Sequence, residues 1–198
     1  MILISKYTPP KALVFDFETT GSNFESYEET AKQFQGISLG LIVFDTSTLL
    51  PIDKLYLEIK YDEKYKWSSE AEAIHGLSRE HLAEHGLTTE DAACEVAEFL
   101  LGHFGPDPKI MVMGHNVDFD ICFMEQLMKP FGLMFRLHHV KLNTASLSFI
   151  AFNSHKSNDL FSETGLNERA AHNALEDCAM TLEAARIIRM LIQDSLYG

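Results

Sequence analysis

Apolar residues follow two rhythms along this chain. Up to residue 60 they come in short continuous blocks, ALVFDF within 11–17, GISLGLIVFD at 36–45 and KLYLEIK at 54–60. Such blocks are too short for helices and rich in β-branched and aromatic residues, so they predict buried strands. The connection at 46–53 carries Pro51 and reads as a tight turn. Three strands on short connections suggest an antiparallel meander. Residues 19–35, TTGSNFESYEETAKQFQ, are largely polar and are expected to form a long loop.

Further along, the period changes to about 3.6. Within 88–104, Ala93, Val96, Ala97, Leu100 and Phe104 share one stripe, with Thr88 or Thr89 as N-cap and acidic residues in the first turn. A strand, KIMVMG, follows at 109–114. The next helix, 117–131, is entered through Asn116 as its N-cap and closed by Pro130 and Gly132. A fifth strand is expected at 138–144, then short helices at 144–152 and 157–164, the latter ending at Gly165. A last helix, 173–196, turns Ala174, Cys178, Thr181, Leu182, Ala185, Ile188 and Ile192 inward. Three antiparallel strands followed by alternating helices and strands make a mixed-sheet α/β fold.

Composition agrees with one globular domain over residues 1–198, since 46% of the residues are hydrophobic and 23% charged. A domain of this size buries roughly 70% of its unfolded surface and needs no disulfide scaffold. Cys94, Cys122 and Cys178 are far apart and odd in number, which favours a reducing compartment. With no signal-peptide pattern and no run of about 18 apolar residues, a cytoplasmic protein without a membrane partner is expected.

Charge narrows the choice of partners. Sixteen Lys and Arg stand against 29 Asp and Glu, a formal net charge of −13. That field repels phosphate backbones and excludes broad, non-specific coating of nucleic acid. A nucleic-acid partner would need a local basic patch or bound divalent cations.

Three acidic constellations stand out. Asp16 and Glu18 end the first strand two residues apart, so both carboxylates lie on one face. Like charges so placed suit a hard divalent cation between them, or else mark a strand edge emerging into solvent. In GHNVDFD, residues 114–120, Asp118 is explained by the helix dipole alone. Asp120 lies between Phe119 and Ile121 and reads either as a cleft-facing carboxylate or as part of a solvated helix face. His172 and Asp177 flank the start of the last helix, five residues apart. They suit a mobile general base beside a fixed ligand, or a surface histidine near a helix start.

Taken in order, these segments resemble the DnaQ-like 3′–5′ exonucleases of the DEDDh type, within the RNase H-like superfamily. The resemblance spans nearly the whole chain: VFDFETTG at 14–21, EAEAIHGLS at 70–78, GHNVDFDICFM at 114–124, LFSETGLN at 160–167 and AHNALEDC at 171–178. It implies an RNase H-like fold with a five-stranded mixed sheet, antiparallel through strands 1-2-3 and then parallel. It also implies that Asp16, Glu18, Asp120 and Asp177 form the acidic metal site for two divalent cations, Mg²⁺ or Mn²⁺. His172 would be the general base, and Asp118 is excluded because the family's Asp directly follows the Phe. Backbone groups at Thr19 and Thr20, with the His75 segment, would cradle the terminal nucleotide and its 3′-hydroxyl, with Asn116 also assigned to substrate binding. The implied reaction releases nucleoside 5′-monophosphates from a nucleic acid with a free 3′ end, single-stranded DNA favoured and RNA possible.

This sequence departs from the family pattern in its longer, more acidic 19–35 segment and in Asn143, where the family commonly carries Asp before Thr. Phe24, Tyr27 and Phe34 in that segment are candidates for base or partner contacts. The chain stops soon after its last helix, which suggests a freestanding nuclease. A polymerase partner and the oligomeric state stay open. From another class, a catalytically silent nucleic-acid-binding or polymerase-accessory module would be expected to lose one of the five site residues, and all five are present.

Overall fold

The structure, a computed structural model, describes residues 8–23, 26–133, 136–166 and 173–197. In chain order its elements are β1 (Lys11–Thr19), α1 (Tyr27–Gln33), β2 (Gly36–Asp45), β3 (Pro51–Glu58), α2 (Ser69–His75), α3 (Arg79–His85) and α4 (Thr89–Phe104). They continue with β4 (Ile110–Gly114), α5 (Val117–Met128), β5 (Leu137–Asn143), α6 (Thr144–Phe152), α7 (Ser157–Glu163) and α8 (Ala174–Tyr197). The strands form one sheet in the order β3-β2-β1-β4-β5. β1, β2 and β3 pair antiparallel, and β4 and β5 extend the sheet in parallel from the other side of β1. This is the mixed RNase H-like sheet expected from the sequence.

The central strands are buried on both faces because helices cover both. Leu13, Phe15 and Phe17 of β1 point into a core completed by Ala93 and Val96 of α4 and by Phe123 and Met124 of α5. Ala12 and Val14 point the other way, onto Cys178, Leu182 and Ala185 of α8. Strand alternation therefore commits Asp16 and Glu18 to the α8 face. α7 closes the far side of α8 through Leu160, Phe161, Ala184 and Ile188.

Four expectations need correction. The polar segment 19–35 is not a loop throughout: Ser26 caps α1 by accepting from the Glu29 N–H at 3.1 Å. Its register is held from outside, because the Gln126 amide of α5 donates to the Ala31 and Phe34 carbonyls and accepts from the Gly36 N–H at 3.2 Å. Second, β3 begins at Pro51 rather than at 54 and ends at Glu58, the proline sitting where a strand's first residue tolerates a missing N–H. Asn116 has φ 68° and ψ 44°, and its side chain does not cap α5. Finally, Ile192 is half exposed instead of inward, since α8 has run past the sheet by that point.

α2 and α3 occupy a stretch that periodicity left unassigned. Each is a two-turn helix with a serine N-cap, Ser68 and Ser78, accepting from the N–H of Ala71 and of His81 respectively. Gly76, at φ 73°, ends α2 in a left-handed turn that favours glycine.

Candidate active site

The end of β1 carries Asp16, half-buried, and Glu18, buried. α8 delivers Asp177 to the same point from across the β1–β2 face. One carboxylate oxygen from each of Asp16, Glu18 and Asp177 lies within 4.8 Å of the other two. Glu18 and Asp177 are only 9% and 6% exposed, so water screens their mutual repulsion poorly. Such a set, all hard oxygen donors converging from two elements, fits a divalent cation.

Asp120 stands beside this trio. It is 3% exposed, and its Oδ1 accepts a 3.0 Å hydrogen bond from the backbone N–H of Phe17, the residue between Asp16 and Glu18. Burial first, and then the charges of Asp16 and Glu18, hold its carboxyl well above the usual range. The buried Cys178 thiol is pushed up in the same way, by burial and then by Asp16 and Asp120. Asp118, two residues away, is half-exposed and paired with Lys141.

Two features let Asp177 reach this point. Asn173 caps the start of α8, its Oδ1 accepting from the N–H groups of Leu175 at 3.1 Å and Glu176 at 3.2 Å. Gly40, opposite Asp16 in the β1–β2 register, is the second. A Cβ there would lie 2.4 Å from the Ala174 carbonyl oxygen and 2.5 Å from the Leu175 Cα. The Cys178 thiol bonds the Gly40 carbonyl at 3.3 Å. Gly40 was not singled out from the sequence, although a glycine inside an apolar strand is itself a signal of close backbone approach.

The remaining candidates are placed as follows. Thr20 is fully buried and committed within the protein: its N–H donates to the Gln35 carbonyl, its carbonyl accepts from Ser68, and its hydroxyl accepts from the Gln35 N–H. The Thr19 hydroxyl donates to the Gly21 carbonyl at 3.0 Å. His75 is buried against the Thr19 carbonyl, and its Nδ1 accepts from the Leu77 N–H at 3.0 Å. Burial lowers its pKa. Asn116 accepts from the Tyr27 hydroxyl at 2.8 Å, and its own N–H donates to Asn143 Oδ1 at 3.0 Å. Tyr27 also meets Phe119 edge to face at 5.8 Å, so α1 is fastened over the entry of α5. Phe34 is buried, unlike the base-contacting residue expected. His172 and Phe24 lie outside the described residues, as does Asn167, the last residue of one motif.

Comparisons with known proteins agree with this architecture. The family model RNase_T, described as exonuclease, matches residues 13–185, a span that takes in every acidic residue of the site. A search of curated proteins finds no match. Among solved structures, E. coli exonuclease I in complex with a dT13 oligonucleotide is similar at a TM-score of 0.74 and 16% identity, over 96% of this chain and 43% of that one. The zinc-bound E. coli exonuclease I complex with single-stranded DNA gives 0.74 and 15%, over 93% and 41%. The moderately thermophilic exonuclease I of Methylocaldum szegediense gives 0.68 and 21%, over 91% and 40%. At these identities the likeness is one of fold, and this chain spans about two-fifths of the length of these neighbours. No helix among the described residues is long and apolar enough to cross a membrane. From β1 through most of α8 the sequence follows the family's model on the family's fold, and the chain belongs to the RNase_T family of exonucleases.

Proposed function

We propose that residues 1–198 form a metal-dependent 3′–5′ exonuclease domain that releases nucleoside 5′-monophosphates, with single-stranded DNA as the favoured substrate. The observation that carries this reading is the convergence of Asp16, Glu18 and Asp177, with Asp120 bonded to the backbone between the first two. Asp16, Glu18 and Asp177 would hold divalent cations, and Asp120 would support them from beside the cluster. Bound there, two divalent cations supply a lowered water pKa and relief of charge on the scissile phosphate. His172, one residue before the Asn173 cap, would accept the proton of the attacking water as general base. The preference for DNA is supported by the oligonucleotides bound to the exonuclease I neighbours.

Digestion of 5′-labelled single-stranded DNA and RNA in Mg²⁺ or Mn²⁺ tests the reading. A descending ladder of shortened products, faster on DNA and abolished by chelator, is expected. Immediate release of the label as a mononucleotide would reverse the assigned direction, and faster digestion of RNA would reverse the sugar preference.

Cation binding has a second signature independent of turnover. A cation that binds the folded cluster and not the unfolded chain stabilises the fold, so Mn²⁺ should raise its Tm. At a concentration about 100-fold above Kd the gain is about 2.7 kcal/mol. Differential scanning fluorimetry of the wild type and Asp177→Asn checks this, the gain being expected only for the wild type. An equal gain in both would place the cation elsewhere.

A further inference from the structure

We propose that Arg79, braced on Tyr61 and Trp67, binds a backbone phosphate of a single-stranded polynucleotide upstream of the nucleotide being removed. This rests on the exonuclease reading above and adds to it a contact outside the carboxylate cluster. The Arg79 Cζ lies 5.1 Å from the Tyr61 ring centroid and 5.0 Å from that of Trp67. Both rings are fixed. They meet edge to face at 4.9 Å, the Tyr61 hydroxyl donates to the Tyr65 carbonyl at 2.6 Å, and the Trp67 indole N–H donates to Glu72 Oε2 at 2.7 Å.

Its partners set this guanidinium apart from the other described arginines. Arg136 and Arg186 pair with carboxylates, and Arg189 donates to the carbonyls of Thr46 and Ser47. Arg79 is exposed and, among the described residues, sits over the two rings without a carboxylate partner. A guanidinium held this way leaves its planar fork of N–H donors for an anion, a geometry that matches the oxygens of a phosphate. In a chain of net charge −13, a cation kept off the many available carboxylates is poised for an anion from outside.

Position connects it to the substrate path. Ser68, next to Trp67, donates its N–H to the Thr20 carbonyl at 2.7 Å, so this segment is bonded to the chain just beyond Glu18. The Trp67 ring meets that of His75 edge-on at 6.3 Å, and His75 lies against Thr19. Arg79 thus flanks the end of β1 through a short series of rigid contacts and stays outside the acidic cluster. A strand whose terminal nucleotide sits at that end would pass a fixed cation as it leaves.

The test is equilibrium binding of a 5′-fluorescein-labelled oligothymidylate to the full chain, read by anisotropy over a salt series with Ca²⁺ in place of Mg²⁺. Competition by thymidine 5′-monophosphate and cleavage in Mg²⁺ are measured in parallel. Arg79→Gln is expected to weaken oligonucleotide binding roughly tenfold and to reduce the slope of log Kd against log salt by about 1. Affinity for the mononucleotide and the Tm should be unchanged. Arg79→Lys, which keeps the charge and loses the planar fork of donors, should fall between. An unchanged salt slope in Arg79→Gln, or an equal loss of mononucleotide affinity, overturns the contact. So does a wild type that does not bind the oligonucleotide. Wild-type binding without cleavage, with the slope changed as expected, removes the exonuclease reading and leaves the Arg79 contact standing.

Discussion

Asp16→Asn is expected to lower kcat roughly 10³-fold, equivalent to about 4 kcal/mol of transition-state stabilisation, without unfolding the protein. The substitution preserves shape and removes one negative charge from the group of Asp16, Glu18 and Asp177. Asp16 also contributes, after burial, to the raised pKa of Asp120, so its charge acts on both sides of the cluster. Neutralising it takes one ligand charge from the cluster, and the cation-induced gain in Tm should disappear. Asp118→Asn is the matched control, since that carboxylate lies two residues from Asp120 on the same helix but is half-exposed and paired with Lys141. Its kcat should stay within about twofold, because exposed ion pairs contribute little. Steady-state rates on an oligonucleotide, with Tm measured in chelator and in Mn²⁺, check both variants. Activity within tenfold of wild type for Asp16→Asn, or equal losses in the two, would sink the assignment.

The contrast between Asp118 and Asp120 also shows what was legible before the structure. Period-two spacing places Asp16 and Glu18 on one face, and β1, β2 and β4 were recognisable because continuous apolar runs are what doubly covered strands require. The meeting of those carboxylates with Asp177 was not a local property. It spans most of the chain, and only the order of motifs in a resembled family pointed to it. α1 was misread for a related reason: YEETAKQ buries only Thr30, and its helix depends on the Ser26 cap and on bonds from Gln126 and Tyr27 that no local window contains. α2 and α3, at seven residues each, are too short to display a period and are defined instead by Ser68, Ser78 and Gly76. Asn116 fails as an N-cap because its left-handed backbone turns the side chain to Tyr27, and Asn143 supplies the partner for its N–H.

Gly40→Ala should be strongly damaging, with the shortest added-methyl overlap against backbone among the described glycines, and its sign runs against ordinary propensity. Alanine in place of a strand glycine normally gains roughly 0.5–1 kcal/mol from the unfolded state. Here the added Cβ meets the Ala174 carbonyl oxygen at 2.4 Å and the Leu175 Cα at 2.5 Å, and both are backbone atoms in the first turn of α8. No rotamer can relieve that overlap, so β2 or the helix must move. Overpacking of this kind costs about 1–3 kcal/mol or somewhat more. Displacing the first turn carries Asp177 with it, and a shift of about 1 Å at a reacting site can cost about 10²-fold in rate. Gly102→Ala provides the opposite case: it lies within α4 with nothing within 4 Å of the added Cβ, and should stabilise by roughly 0.5–1 kcal/mol with kcat unchanged. Denaturant unfolding and kcat, measured on the two variants together, separate a local clash from a general effect of adding a methyl group. If Gly40→Ala keeps both its stability and its rate, α8 is not seated on Gly40, and the approach of Asp177 to Asp16 and Glu18 must be fixed by the Asn173 cap and the Leu182–Ala185 packing alone.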